Sequence, residues 1–380
     1  VQPTETALKI MNDIVRIGII GAGFARTTQI PAFKNCEGAR IVAIASAHRE
    51  NAEDVARAFD IAHVEDGWRG VIERDDVDLV SIVTPVMTHC EMTLAALDRG
   101  KHVLCEKPMA MNGEEARRMK DRAQEAGVLA LIDHELRFLP ARLQMRERLQ
   151  AGDIGKVKHV KLTFRADSRA DVTRPWNWWS DIQQGGGTLG AIGSHVTDGF
   201  RWLLSTEVSE VVCNLATHVR ERQDAAGTSR EVTSDDEANL LLRFADGGLT
   251  EGATGDVSMS MVEAGKPEHL LEIFGASGAL RVGERGDLWR SKVGDGDLQT
   301  VEVERGELAS GLRDSGWARG FTAFSQQIVN ALREGRTTVE GAATFEDGYR
   351  TQLVLDAARR SNERGCWERV SQPLMNTDSH

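Results

Sequence analysis

The sequence predicts an α/β protein in two parts, a doubly wound parallel sheet followed by a mostly antiparallel one. Three observations carry this. Between Val15 and Asp133 short apolar runs alternate with amphipathic stretches, the pattern of repeated βαβ units. After Leu139 strand-like runs follow one another across tight turns such as Ala245-Asp246-Gly247-Gly248, which is hairpin texture. Gly21-Ala22-Gly23 and Glu106-Lys107-Pro108 each close an apolar run, and open α/β sheets hold their ligands at the carboxyl ends of strands.

Taken in order, the first part reads as strands at Arg16–Ile20, Arg40–Ala45, Leu79–Thr84, His102–Cys105 and Val128–Ile132. Ala52–Phe59 and Cys90–Asp98 have apolar residues at three- and four-residue spacing and read as helices between them. This is a Rossmann-like domain, expected over residues 14–134. The second part, residues 135–371, opens with a helix over Ala141–Ala151 and a strand over Lys158–Arg165. A Trp-rich loop, a glycine run and a helix near Thr197–Leu204 come next, before strands at Ala238–Phe244, Gly248–Thr254, His269–Phe274 and Ala279–Val282. Two helices, Phe321–Arg333 and Thr344–Asn362, close the chain. Residues 372–380 have no pattern and are expected to be disordered.

A chain of 380 residues is long enough for two cored domains. Its formal charge of −12 argues against general affinity for nucleic acid or anionic membrane. The five cysteines are scattered with no C-x-x-C pair, so neither a zinc knuckle nor a disulfide framework is indicated. No secretory pattern opens the sequence and no run approaches a membrane span. The expectation is a reduced, cytoplasmic protein.

Gly21-Ala22-Gly23-Phe24-Ala25 lies between a strand and a helix. The first glycine permits a tight turn, and the second lets backbone N–H groups approach a pyrophosphate. Arg26 holds the third position of G-x-G-x-x-G/A and must turn outward. Where an NAD site usually carries an acid, about twenty residues past the glycines, the chain has Ser46, followed by His48 and Arg49. Ser46 and these cations favour a ribose 2′-phosphate, so NADP(H) is expected over NAD(H), with NAD(H) still possible.

With these residues the chain resembles the glucose–fructose oxidoreductase, inositol dehydrogenase and rhizopine catabolism (Gfo/Idh/MocA) family. The matching residues are the glycine loop, Thr84-Pro85 with His89, Glu106-Lys107-Pro108, and His134 with Arg137-Phe138 and Pro140. Gly185-Gly186-Gly187 through Gly193-Ser194-His195 to Asp198 also matches. The resemblance implies a C-terminal α/β domain with a large, mostly antiparallel open sheet. It also implies nicotinamide-linked chemistry on sugars or polyols, and a homodimer or homotetramer built on that sheet. Together with the glycine fingerprint and the second strand end, it gives Gly21, Gly23, Phe24, Ala25, Ser46, Arg49, Thr84, Pro85, His89, Glu106 and Lys107 as the expected cofactor residues. The family's catalytic Lys and His fall on Lys107 and His195. Its Asp, four residues before the His, is replaced here by Ala191.

Removing hydride from an alcohol carbon leaves a proton on oxygen, so oxidation needs a base and reduction an acid. Lys107 and His195 are the expected pair. Trp176 and Trp178, from the densest aromatic cluster, are candidates for stacking on a sugar ring. Arg165 is a candidate for an anionic substrate group, and Asp198, three residues past His195, for a hydroxyl. His134-Glu135 opens like a zinc helix, but Phe138 breaks H-E-x-x-H, so no metal is expected. Two other functions stay open: transient oxidation that drives glycoside cleavage or elimination, and a cofactor-binding sensor without catalysis.

Overall fold

The structure, a computed structural model, describes residues 14–371. The expected disordered tail at 372–380 and the start at Val1–Asp13, where no secretory pattern was expected, lie outside the described residues. Strands β1 (Val15–Ile20), β2 (Ala39–Ala45), β3 (His63–Val64), β4 (Leu79–Ile82), β5 (His102–Cys105) and β6 (Ala130–Ile132) form a parallel sheet in the order β3-β2-β1-β4-β5-β6. Their crossovers carry helices α1 (Ile30–Asn35), α2 (Arg49–Phe59), α3 (Trp68–Glu73), α4 (His89–Asp98) and α5 (Gly113–Ala126). β1 pairs with β2 on one side and β4 on the other, so strand order reverses at β1. The crevice at its carboxyl end is therefore the ligand-binding position of such sheets. Strands covered on both faces need no polar side, which is why these read as continuous apolar runs.

The second layer opens with α6 (Pro140–Gln150), β7 (Val157–Arg165), α7 (Ser194–Leu204), β8 (Val208–Ala216) and a small hairpin of β9 (Glu221–Gln223) and β10 (Ser229–Glu231). It continues with β11 (Glu237–Phe244), β12 (Thr250–Ser260), β13 (Glu268–Gly275), β14 (Gly278–Val282), β15 (Leu288–Lys292) and β16 (Gln299–Val301). The chain ends with α8 (Gly316–Arg333), β17 (Ala343–Thr344), α9 (Phe345–Arg364) and β18 (Glu368–Arg369). Nine of these strands make one sheet, β16-β15-β14-β13-β7-β12-β11-β8-β18. All its pairs are antiparallel except β7 with β12. Ala238, Leu240, Leu242 and Phe244 of β11 point inward with Val211, Val257, Leu271 and Leu280 onto α6, α7 and α9. Leu241 and Arg243 point the other way and are exposed, the two-residue alternation of a one-sided sheet.

The expected domain boundary differs from the packing. Phe321, Phe324, Ile328 and Val329 of α8 share one core with Ile17, Ile30, Phe33 and Leu104 of the first domain. β17 then adds antiparallel to β6, with Ala343 opposite Ile132. The chain thus returns from the second layer to complete the first. Short-range periodicity marks α8 as a helix but carries no information about which distant strand receives its apolar face.

Candidate active site

Gly21 has φ 108°, and a side-chain carbon there would meet the Val83 carbonyl oxygen at 2.0 Å, so only glycine fits this approach. Gly23 faces open space and is exposed beside Phe24, while Ala25 is buried under the turn into α1 and Arg26 points outward as expected. The loop leaves room for an anionic group against its backbone at Gly23. Half-buried Ser46 follows β2, and half-buried Thr84 and Pro85 follow β4. These loops line the crevice where strand order reverses. The residues fit a dinucleotide.

Two residues assigned to the cofactor are placed elsewhere. His89 is fully buried, its ring nitrogens 3.1 Å from the Pro108 carbonyl and 2.9 Å from the Thr84 carbonyl. It braces the loop after β4 against the loop after β5. Glu106 turns into the interior, where the Gln29 side-chain amide donates to both Glu106 and Asp133 at 2.9 Å. Ser81 completes the group by donating to the Gln29 carbonyl at 2.5 Å. Burial pushes both carboxyls above their ordinary range, Asp133 well above it. A proton shared beneath the strand ends is what lets them coexist. Exposed Arg49 is not a free cation, since it pairs with Glu53 at 2.8 Å and with Asp66.

Lys107 follows Glu106 and points the opposite way, across the crevice. Its Nζ donates to the Ala191 carbonyl at 3.1 Å, tying the first domain to the turn that leads into α7. The glycine run shapes that turn: a side-chain carbon on Gly186 would lie 2.0 Å from the Trp179 carbonyl oxygen. His195 is buried in the first turn of α7. Its Nδ1 lies 3.4 Å from Nδ1 of His134 and 3.9 Å from Oε2 of Glu135. Trp317, at the start of α8, meets the His195 ring edge to face, with ring centroids 4.6 Å apart. Behind Trp317, His269 stacks at 5.4 Å and accepts from buried Arg142 at 3.2 Å. Desolvation beside Lys107, His134 and Arg142 drives the His195 pKa well below the ordinary imidazole value. Burial takes His134 down to about 4. Both rings are neutral at physiological pH.

The remaining substrate candidates are not brought to this point. Asp198 is buried, and both its oxygens accept from Arg137, at 2.7 and 2.5 Å; it is the partner of a buried cation. That cation holds its carboxyl below the usual range in spite of burial. Phe164 packs toward His269, so the next residue, Arg165, must face the outer side of the sheet. There it bonds Ser258 and pairs with Glu263 at 2.8 Å. Trp176 donates its indole N–H to the Glu231 carbonyl at 2.9 Å and carries Arg230 on its ring. It packs on the β9–β10 hairpin, and Trp178 is exposed. The aromatic beside His195 is Trp317, which stood alone in the sequence and gave no signal. Gln29, Asp133, Glu135, Arg142 and His269 were also missed; only the buried acid following His134 carried a hint.

The glycine loop, Lys107 and His195 thus converge in the architecture of a nicotinamide-dependent oxidoreductase. Residues 15–134 match the profile of an oxidoreductase family with an NAD-binding Rossmann fold, and residues 143–281 match the GFO/IDH/MocA C-terminal domain. The chain belongs to the Gfo/Idh/MocA oxidoreductase family. Similar curated proteins include an uncharacterized oxidoreductase of Synechocystis, 33% identical over 93% of this chain and 95% of its own length. Another is levoglucosan dehydrogenase of Pseudarthrobacter phenanthrenivorans, 30% identical over 94% and 98%. Among solved structures, levoglucosan dehydrogenase in complex with NADH and L-sorbose superposes with a TM-score of 0.84 at 28% identity, covering 94% of this chain and 99% of that one. An oxidoreductase domain protein from Kribbella flavida gives the same values. As a family member the chain is a nicotinamide-dependent dehydrogenase.

Proposed function

We propose that this chain oxidises or reduces a secondary hydroxyl of a sugar, polyol or related cyclic substrate, with Lys107 and His195 moving the proton. The observation that supports it most is a lysine amine bonded to the Ala191 carbonyl, one turn before a buried, neutral imidazole whose charge it opposes. Bound nicotinamide supplies hydride transfer. Gly21, Gly23, Ser46 and Thr84 would hold the dinucleotide, and Lys107 would exchange a proton with the substrate oxygen. Levoglucosan dehydrogenase, similar over nearly the whole chain, makes carbohydrates the first class to try. Cyclic polyols, sugars and anhydrosugars should be screened with each cofactor by the absorbance of reduced nicotinamide, with mass spectrometry of products. Turnover of none of them overturns the reading.

NADP(H) preference belongs to this proposal. Ser46 lacks the negative charge that would repel a 2′-phosphate, and Arg49 is near enough in sequence to exchange its exposed carboxylate partners for that phosphate. Tryptophan-fluorescence titration should show tighter NADP(H) than NAD(H) binding, and Ser46→Asp should reverse the order. Equal or tighter NAD(H) binding by the unmodified protein removes the preference. A reduced, cytoplasmic setting is part of the same reading, supported by five cysteines that are all free.

A further inference from the structure

Glu135 is a buried carboxyl with one oxygen left unpartnered. Its Oε2 makes no hydrogen bond among the described residues, and the cation-forming group within 4.0 Å of it is Nδ1 of His195, at 3.9 Å. An acid almost never sits fully buried unless it is paired. Glu106, Asp133 and Arg201, also buried, each have a partner at hydrogen-bond distance. Glu135 instead points at an imidazole.

The surroundings define how that imidazole is protonated. Arg137 keeps Asp198 ionised, and Asp198 Oδ1 lies 4.0 Å from Nε2 of His134. The negative charge favours a proton on that nitrogen, which leaves Nδ1 of His134 as an acceptor facing Nδ1 of His195. With Glu135 ionised, His195 Nδ1 therefore faces two acceptors, His134 at 3.4 Å and Glu135 at 3.9 Å. It carries the proton. The other nitrogen, Nε2, has no hydrogen-bond partner among the described residues and is left as a lone pair for the substrate hydroxyl.

We propose that Glu135 is the positioning residue of His195 and the end of a proton relay through it. This rests on the dehydrogenase reading above. In oxidation, Nε2 takes the hydroxyl proton while the Nδ1 proton passes to the Glu135 carboxylate. The electron pair of the carbinol C–H leaves as hydride to the oxidised nicotinamide, and the substrate carbon becomes a carbonyl. Glu135 ends protonated and the imidazole ends neutral. Reduction runs the same path backwards. The relay resolves a difficulty of the site: an imidazole held among Lys107, Arg142, His134 and His269 resists a positive charge, and in the relay it never holds one. The carboxyl lies 3.9 Å away, a gap that catalytic contacts commonly close when substrate binds.

Burial, with the negative charge of Glu106, raises the Glu135 pKa to about 8. The groups facing it are Glu106 and Lys107 after β5, Asp133 and His134 after β6, Arg142 on α6 and His195 on α7. Two measurements test the relay in the full chain. The first needs no substrate: the imidazole ¹⁵N shifts of His195 should show an inflection near the Glu135 titration, absent in Glu135→Gln. In Glu135→Asp it should persist at a shifted pH. The second uses turnover. Oxidation kcat should rise with pH through this range in the native enzyme and be flat in Glu135→Gln, about 10²-fold lower, with KM changed only a few-fold. Identical His195 titration curves in the native and Gln proteins overturn the relay, whatever the substrate proves to be. If no sugar or polyol is turned over, the function reading fails while the ¹⁵N curves still decide the relay. Should Glu135→Gln not fold, an unshifted curve in Glu135→Asp overturns it.

Discussion

Glu106 and Lys107 are neighbours that face opposite ways, one into a buried hydrogen-bonded group and the other across the crevice to the Ala191 carbonyl. One side chain holds the strand end and the next spans the crevice. If Lys107 transfers the proton, Lys107→Met keeps fold and cofactor affinity and lowers turnover by about 10²–10⁴-fold; near-normal saturated turnover would return the role to His195. Glu135 makes a separate prediction through stability. Its pKa rises from 4.5 to about 8 on folding, so between these values the folded state holds a proton that the unfolded state has lost. Stability therefore falls as pH climbs from 4.5 toward 8 and levels off above it. Gln carries no such linkage. The melting temperature of Glu135→Gln relative to the native protein should increase from about pH 5 to pH 8, and a constant difference across that range would show that Glu135 ionises freely in the folded chain.

At the scale of elements, α8 couples the two layers. Its start places Trp317 against His195, and its body buries Phe321 and Phe324 under the first sheet, where Phe324 stacks on Phe138 at 4.6 Å. Phe324→Ala should cost about 3–5 kcal/mol in urea unfolding, the usual loss for a buried phenylalanine. Gln327→Ala, one turn away and exposed, should stay within about 0.5 kcal/mol. Equal losses would mean that α8 contributes through helix formation and not through this core. The turn before α7 is the other decisive element, because Gly185-Gly186-Gly187 lets the chain pass close to the loop after β4 and hands the Ala191 carbonyl to Lys107.

For the whole molecule, the inner face of the nine-stranded sheet is buried on helices, while the outer face presents Leu241, Lys161 and Asp256 to solvent and half-buries Arg165, Phe274 and Trp289. Two such faces pairing about a twofold axis would cover it, so light scattering should give a dimer or tetramer, and Leu241→Glu should shift it toward monomer. A native protein of monomer mass at micromolar concentration removes this proposal. The parallel sheet, the glycine loop and the strand-end lysine were legible in the sequence because each depends on local patterning, the run length of a buried strand or the φ that only glycine tolerates. His195 and Ala191 were legible only through the resemblance to the family's motif after the glycine run. The partners of those residues were not. Trp317 and Glu135 reach His195 from separate elements, and α8 joins a sheet whose first strand lies roughly three hundred residues earlier. Asp198 and Arg165 have side chains as suited to substrate as any in the chain, yet Arg137 and Glu263 claim them. A sequence states which side chains exist and how their neighbours repeat; only the packed chain decides which charge each one meets, and that meeting sets which groups remain free for chemistry.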